Sequence, residues 1–155
     1  MKRKKQEPEG EKDVSAKTRS EVLADIQRFE KAGQPDELRG YLIQLSKWGE
    51  KPQQYENLFR GYLYAPEATL REAVVFALLY GLGLQKEEYR ACAIEQLILF
   101  DEDDVEARCW AAFSLAHAYQ GQRDKALLYT FSTILDDERE DASLKESIVR
   151  GILVL

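Results

Sequence analysis

"LREAVVFALL" at Leu70–Leu79, "ARCWAAFSLA" at Ala107–Ala116 and "LKESIVRGIL" at Leu144–Leu153 stand 37 residues apart with no gap between copies. Laid over one another, they put a cation at Arg71, Arg108 and Lys145. Apolar or small residues then coincide at Val74/Ala111/Ile148, Val75/Ala112/Val149 and Leu78/Leu115/Ile152. These spacings of three and four mark one face of an α-helix. Between the copies a second set coincides: Ile94 with Phe131, Leu97 with Ile134, and Ile98 with Leu135. One such two-helix unit cannot bury its apolar face alone, whereas units stacked at a fixed period share a continuous interior. The expected fold is therefore all-α: a right-handed α-α superhelix, or short α-solenoid, of stacked antiparallel helical hairpins.

Working outward, the same spacing and the Gly and Pro punctuation predict helices near 18–32, 35–48, 52–64, 67–81, 86–100, 104–119, 123–136 and 143–154. Capping boxes are read at Thr18/Glu21, Thr69/Glu72 and Ser143/Glu146, where a hydroxyl and a Glu three residues later can satisfy free backbone N–H groups. An earlier unit, "DELRGYLIQL" from Asp36, starts only 32 residues before its counterpart, as an irregular capping repeat would. The organisation read from the chain is a disordered charged tail at 1–17 and one solenoid domain at 18–155. Its repeats lie near 36–66, 67–103 and 104–140, with a terminal half-repeat at 141–155. The apolar end "GILVL" then reads as helix packed on one side, with its other side a cap or a place for homo-association.

Composition narrows the function classes. The longest apolar run, Ala73–Leu84, is shorter than the roughly 20 residues a bilayer requires. "KRKK" is followed by acidic "EPEGEKD" where a secretory leader would carry its apolar segment. With only two cysteines, this predicts a reducing, cytoplasmic setting. Residues 1–20 carry a net charge of +3 and the remainder −9. A body of that charge repels phosphate backbones, so nucleic acid is not expected as a partner.

"DVEARCWAAFSLA", "LLYTFSTILDDERED" and "SLKESIVRGIL" resemble HEAT and HEAT-like (armadillo-type) repeats over Asp36–Leu155. A tetratricopeptide-like repeat is the alternative resemblance, carried by Trp110, Phe113, His117, Gly121 and Ala126, but Thr133 and Tyr89 depart from its small-residue positions. Both resemblances imply a stack with a concave surface, and the HEAT-like one implies that second helices line it. It also brings a second function class, because some HEAT-like proteins are nucleic-acid-processing enzymes of the glycosylase type. Those would need a basic groove.

No catalytic, metal or cofactor set emerges. His117 is the single histidine and sits among Leu115, Ala116 and Ala118, which predicts a packing or rim role. Cys92 and Cys109 fall in apolar helical patterns, as buried free cysteines do. "GLGL" at Gly81–Leu84 lacks a phosphate-binding arrangement, and both glycines read as a left-handed helix end. "DEDD" at Asp101–Asp104 lacks calcium-loop spacing.

The expectation is a non-enzymatic adaptor, scaffold or inhibitor that binds a protein, for instance a bacterial adaptor or an immunity-type shield for a basic toxin. The candidate surface is Tyr55, Arg60, Glu88, Glu95 and Tyr129 on second helices. A ridge of Asp101, Asp103, Asp104, Asp136, Asp137 and Glu138 joins it, and stacking would set the two acidic runs side by side for a basic partner.

Overall fold

The computed structural model describes residues 13–98 and 105–155. The basic run at 2–5 and Asp101, Asp103 and Asp104 lie outside the described residues. Within them the chain forms eight α-helices: α1 (Arg19–Lys31), α2 (Pro35–Trp48), α3 (Glu56–Arg60), α4 (Ala68–Val75), α5 (Glu87–Ile98), α6 (Val105–Ala118), α7 (Lys125–Asp136) and α8 (Ala142–Ile152). No strand occurs among the described residues, and none of their helices is long and apolar enough to cross a membrane.

The 37-residue register survives in three dimensions. Val74, Ala111 and Ile148 are all fully buried in one core, as are Leu78 and Leu115, and Ile152 packs against it. Burying a Leu or Ile side chain contributes about 2 kcal/mol, so a shared interior, not any single helix, holds the stack. α2, α4, α6 and α8 pack on one another in series, while α1 packs on α2, α5 mainly on α6, and α7 on α8. The tight pairs thus run across the expected unit boundaries, and α8 completes a pair with α7 instead of standing alone. α3, α5 and α7 pack less closely on one another and meet through side-chain contacts such as the Arg60–Glu88 ion pair. The first helices α2, α4, α6 and α8 are therefore the close-packed, inner row and the second helices the outer one.

Small residues set that close spacing. α6 turns Ala111, Ala112 and Ala116 inward, and α8 answers with Gly151. A Cβ on Gly151 would stand 2.8 Å from Phe131 and 3.1 Å from Ala116, inside contact distance.

Polar contacts between successive units recur at a similar interval. The Tyr62 hydroxyl donates to Glu30, Arg39 to Glu72, Lys86 and Tyr89 to Glu56, Arg90 to Asp124, and Arg108 to Glu140, each spanning 30 to 34 residues. The equivalent cations share a task. Arg71 donates to the carbonyls of Ala65 and Pro66, and Arg108 to that of Leu97, each satisfying backbone oxygens left by the preceding outer segment.

Several local expectations are corrected. The predicted helix 52–64 is a 3-10 turn at Pro52–Tyr55 followed by the short α3. α4 continues without a break into a π-helical turn at Phe76–Gly81, where Leu82 N–H bonds to the Ala77 carbonyl. Thr18/Glu21 is a true capping box. Thr69 and Glu72 are not one, because the cap is Glu67 and Glu72 is drawn to Arg39. α8 is capped by Asp141, whose carboxylate accepts from Ser143 and Leu144 N–H, so Ser143 already lies inside the helix. Gly83 has the left-handed conformation, φ +64, but Gly81 does not. Gly81 is there for space: a Cβ would lie 2.6 Å from the Ser46 hydroxyl of α2. Asp13–Lys17, placed by the sequence reading in the tail, are folded onto the domain: Val14 is buried and the Lys17 ammonium, itself buried, pairs with Asp25 at 2.6 Å.

Candidate functional site

The inner row exposes a strip of rings. Phe76 and Tyr80 stand on the π-helical turn, and Trp110, Phe113 and His117 stand on α6 at spacings of three and four. Phe76 meets Trp110 edge-on with centroids at 5.4 Å, Tyr80 meets Phe113 at 5.2 Å and His117 at 5.6 Å, and Phe113 meets His117 at 4.2 Å. The Phe76–Trp110 and Tyr80–Phe113 pairs have the favoured edge-to-face geometry, each adding about 1 kcal/mol to area burial. Phe76 is buried beneath, whereas Tyr80 is 41% exposed and Trp48, at the end of α2, 57% exposed.

Cations edge the strip. The Lys47 ammonium lies 5.0 Å from the Trp48 ring centre and 5.9 Å from that of Phe76, and the Arg39 guanidinium lies 5.9 Å from that of Trp110. Arg39 also pairs with buried Glu72, whose carboxyl is raised above the usual range because burial outweighs the Arg39 hydrogen bond and charge. On the α8 side, Phe113, His117, Ser147 and Arg150 border a hollow of about 110 Å³. Planar apolar faces, a side-chain-sized hollow and flanking charges suit recognition of another chain.

The residues expected from sequence are distributed differently. Arg60 and Glu88 come together across α3 and α5 as an exposed ion pair at 3.0 Å. Glu95 is exposed on α5, and Tyr129 on α7 is 76% exposed. Tyr55 is not on the surface: it is 2% exposed, folded under by the 3-10 turn that replaces the expected helix. Of the expected acidic ridge, Asp136, Asp137 and Glu138 are among the described residues. Asp136 and Glu138 are exposed, but Asp137 accepts from the Arg139 guanidinium and backbone N–H, which hold its carboxyl down at about 2. Glu140 is consumed by Arg108 and Asp141 by the α8 cap.

The cysteines behave as apolar packing. Cys92 is buried, its thiol donates to the Leu63 carbonyl, and burial pushes it up to about 11. Cys109 is half-buried and likewise raised by burial. Among the described residues, no three His, Cys, Asp or Glu side chains gather where they could hold a metal ion.

Sequence reasoning did not single out the strip, although its signal was present. Tyr80 and His117 are 37 residues apart, as are Phe76 and Phe113, and Trp48 precedes Tyr80 by the 32 residues of the irregular first unit. Rings recurring at one repeat position mark a face, but whether that face turns in or out depends on which row of helices is inner. No protein-family model, no curated protein and no solved structure matches the chain.

Proposed function

We propose that this protein is a non-enzymatic protein-interaction module that holds a segment of a partner along the inner row of helices. The observation that carries the reading is the ring cluster Phe76, Tyr80, Trp110, Phe113 and His117, with Tyr80 41% exposed and the Trp48 ring at the end of α2 57% exposed. Exposed aromatic rings on a rigid face offer large contact area at low cost in side-chain entropy, which is why Trp and Tyr dominate interface energetics. The hollow beside Phe113 is sized for one anchoring side chain. Tyr129 and the Arg60–Glu88 pair lie on the outer helices and form a secondary contact surface in this reading.

At the finer level, the fixed period and the Asp and Arg positions support a HEAT-like repeat, and the close-spaced first-helix row supports the tetratricopeptide-like alternative. Either is a protein-binding scaffold here.

A photo-crosslinking amino acid placed at Tyr80, with the same residue at exposed Ala24 on α1 as control, tests the reading in the native host. The expected result is a discrete adduct from position 80 that disappears with Trp48→Ala, and none from position 24. An adduct of twice the chain's mass would make a second copy the partner. Equal labelling from both positions, or no adduct at 80, would overturn the assignment.

A further inference from the structure

A further cleft lies away from the strip, between the α1–α2 turn and the segment joining α3 to α4. It encloses about 510 Å³. Phe29, Tyr62 and Tyr64 present rings to it, and Leu38 and Leu70 contribute apolar surface. Its charged lining is of one sign: Glu30 on one wall and Glu67 on the other, with no Lys or Arg among the described lining residues. We infer that this cleft takes the side chain of a lysine from a partner peptide, the ammonium between the carboxylates and rings and the aliphatic stem along the apolar surface.

The geometry favours this occupant over others. A ring face attracts an organic cation, and the attraction grows where water is partly excluded. The Tyr62 hydroxyl donates to Glu30, so the two walls are tied together and the ring is fixed before any ligand arrives. The nearby cations are engaged elsewhere: Arg71 donates to the Ala65 and Pro66 carbonyls, which fixes the loop, and Arg28 lies over Phe29 while pairing with Asp25 at 3.3 Å. A lysine therefore has Tyr62 and Tyr64 as its ring partners, and Tyr64 is almost bare, at 72% exposure. An anion would meet two carboxylates, and a neutral aliphatic chain would leave them without a counter-charge. This site goes beyond the strip and shares none of its residues, so either can fail without the other.

The test is a chemical-shift titration of the whole 15N-labelled protein with Nα-acetyl-lysine N-methylamide, run beside the norleucine and glutamate counterparts. The lysine compound should give saturable shifts centred on Gly33, Gly61 and Tyr64, and the other two should give none there. Glu30→Gln with Glu67→Gln should weaken binding by about tenfold. Tyr64→Ala should weaken it severalfold while leaving the rest of the spectrum in place, which guards against simple unfolding. Trp48→Ala should change nothing. Equal binding of the norleucine compound, lysine shifts scattered over the acidic surface without saturation, or a double variant that binds as the parent does would overturn the assignment.

Discussion

Arg108 and Glu140 meet inside the stack as a two-pronged ion pair, Nη1 to Oε2 at 2.9 Å and Nη2 to Oε1 at 2.7 Å, with side chains 3% and 4% exposed. Arg108 Nε also donates to the Leu97 carbonyl at 2.8 Å, so one guanidinium ties the end of α5, the start of α6 and the approach to α8. Removing one partner strands a buried charge, whereas removing both does not. Glu140→Ala should destabilise the protein by about 3–5 kcal/mol, and Arg108→Met with Glu140→Leu should recover most of that loss. Urea unfolding of the three proteins measures this. A double variant no more stable than the single one would count against the pair as the source of the cost.

Gly81 should respond as a contact point between the π-helical turn and α2. Gly81→Ala drives a methyl to 2.6 Å from the Ser46 hydroxyl. The expected loss is about 1–3 kcal/mol, because a packed core resists insertion of even one carbon. Ser46→Gly added to Gly81→Ala removes the obstructing side chain and should restore part of the stability. If the swap restores nothing, the close approach of α2 to the π-helical turn is not what the glycine serves.

Asp25 gives the fold an acid-sensitive joint. Burial alone would raise its carboxyl, but hydrogen bonds from Lys17 and Tyr41 and the charges of Lys17 and Arg28 outweigh it and hold the group below its ordinary value. A carboxyl depressed by folding contributes stability above the unfolded value of about 4, and that contribution is lost as pH falls through the folded value. The stability difference between the parent and Asp25→Asn should therefore be widest near neutrality and narrow as pH drops from about 5 toward 2. Denaturation at three pH values reads it out, and a gap constant with pH would rule Asp25 out.

Trp48→Ala and Tyr129→Ala remove mostly solvent-exposed rings, so each should change stability by no more than about 1 kcal/mol. Tyr55→Ala, at a position that sequence reading places on the surface, should instead cost about 3–5 kcal/mol, because the ring is buried. Thermal unfolding of the set separates these cases. Equal losses for Tyr55 and Trp48 would contradict the burial assigned to them.

The fold was legible where physics is local and periodic. Val74, Ala111 and Ile148 announce one buried stripe by spacing alone, and the Gly33–Pro35 and Gly49–Pro52 breaks mark helix ends within a residue or two. It was illegible where a distant partner decides. Glu72 reads as half of a capping box until Arg39, 33 residues away, claims it. Tyr55 reads as exposed on a regular helix, but the 3-10 turn rotates it inward. The ring strip was missed for a related reason: periodicity identifies a face but not which row of helices is crowded, and the Ala and Gly contacts of α6 with α8 show that only in three dimensions.

The central claim is that successive units share one row of first helices whose rings touch from unit to unit. A NOESY spectrum of the protein with labelled aromatic residues tests it most directly. The account predicts ring-to-ring cross-peaks for Tyr80 with Phe113, for Tyr80 with His117 and for Phe76 with Trp110, together with Gly151 Hα to the Phe131 ring. A well-dispersed spectrum in which Tyr80 and Phe76 reach no ring of α6 would contradict it.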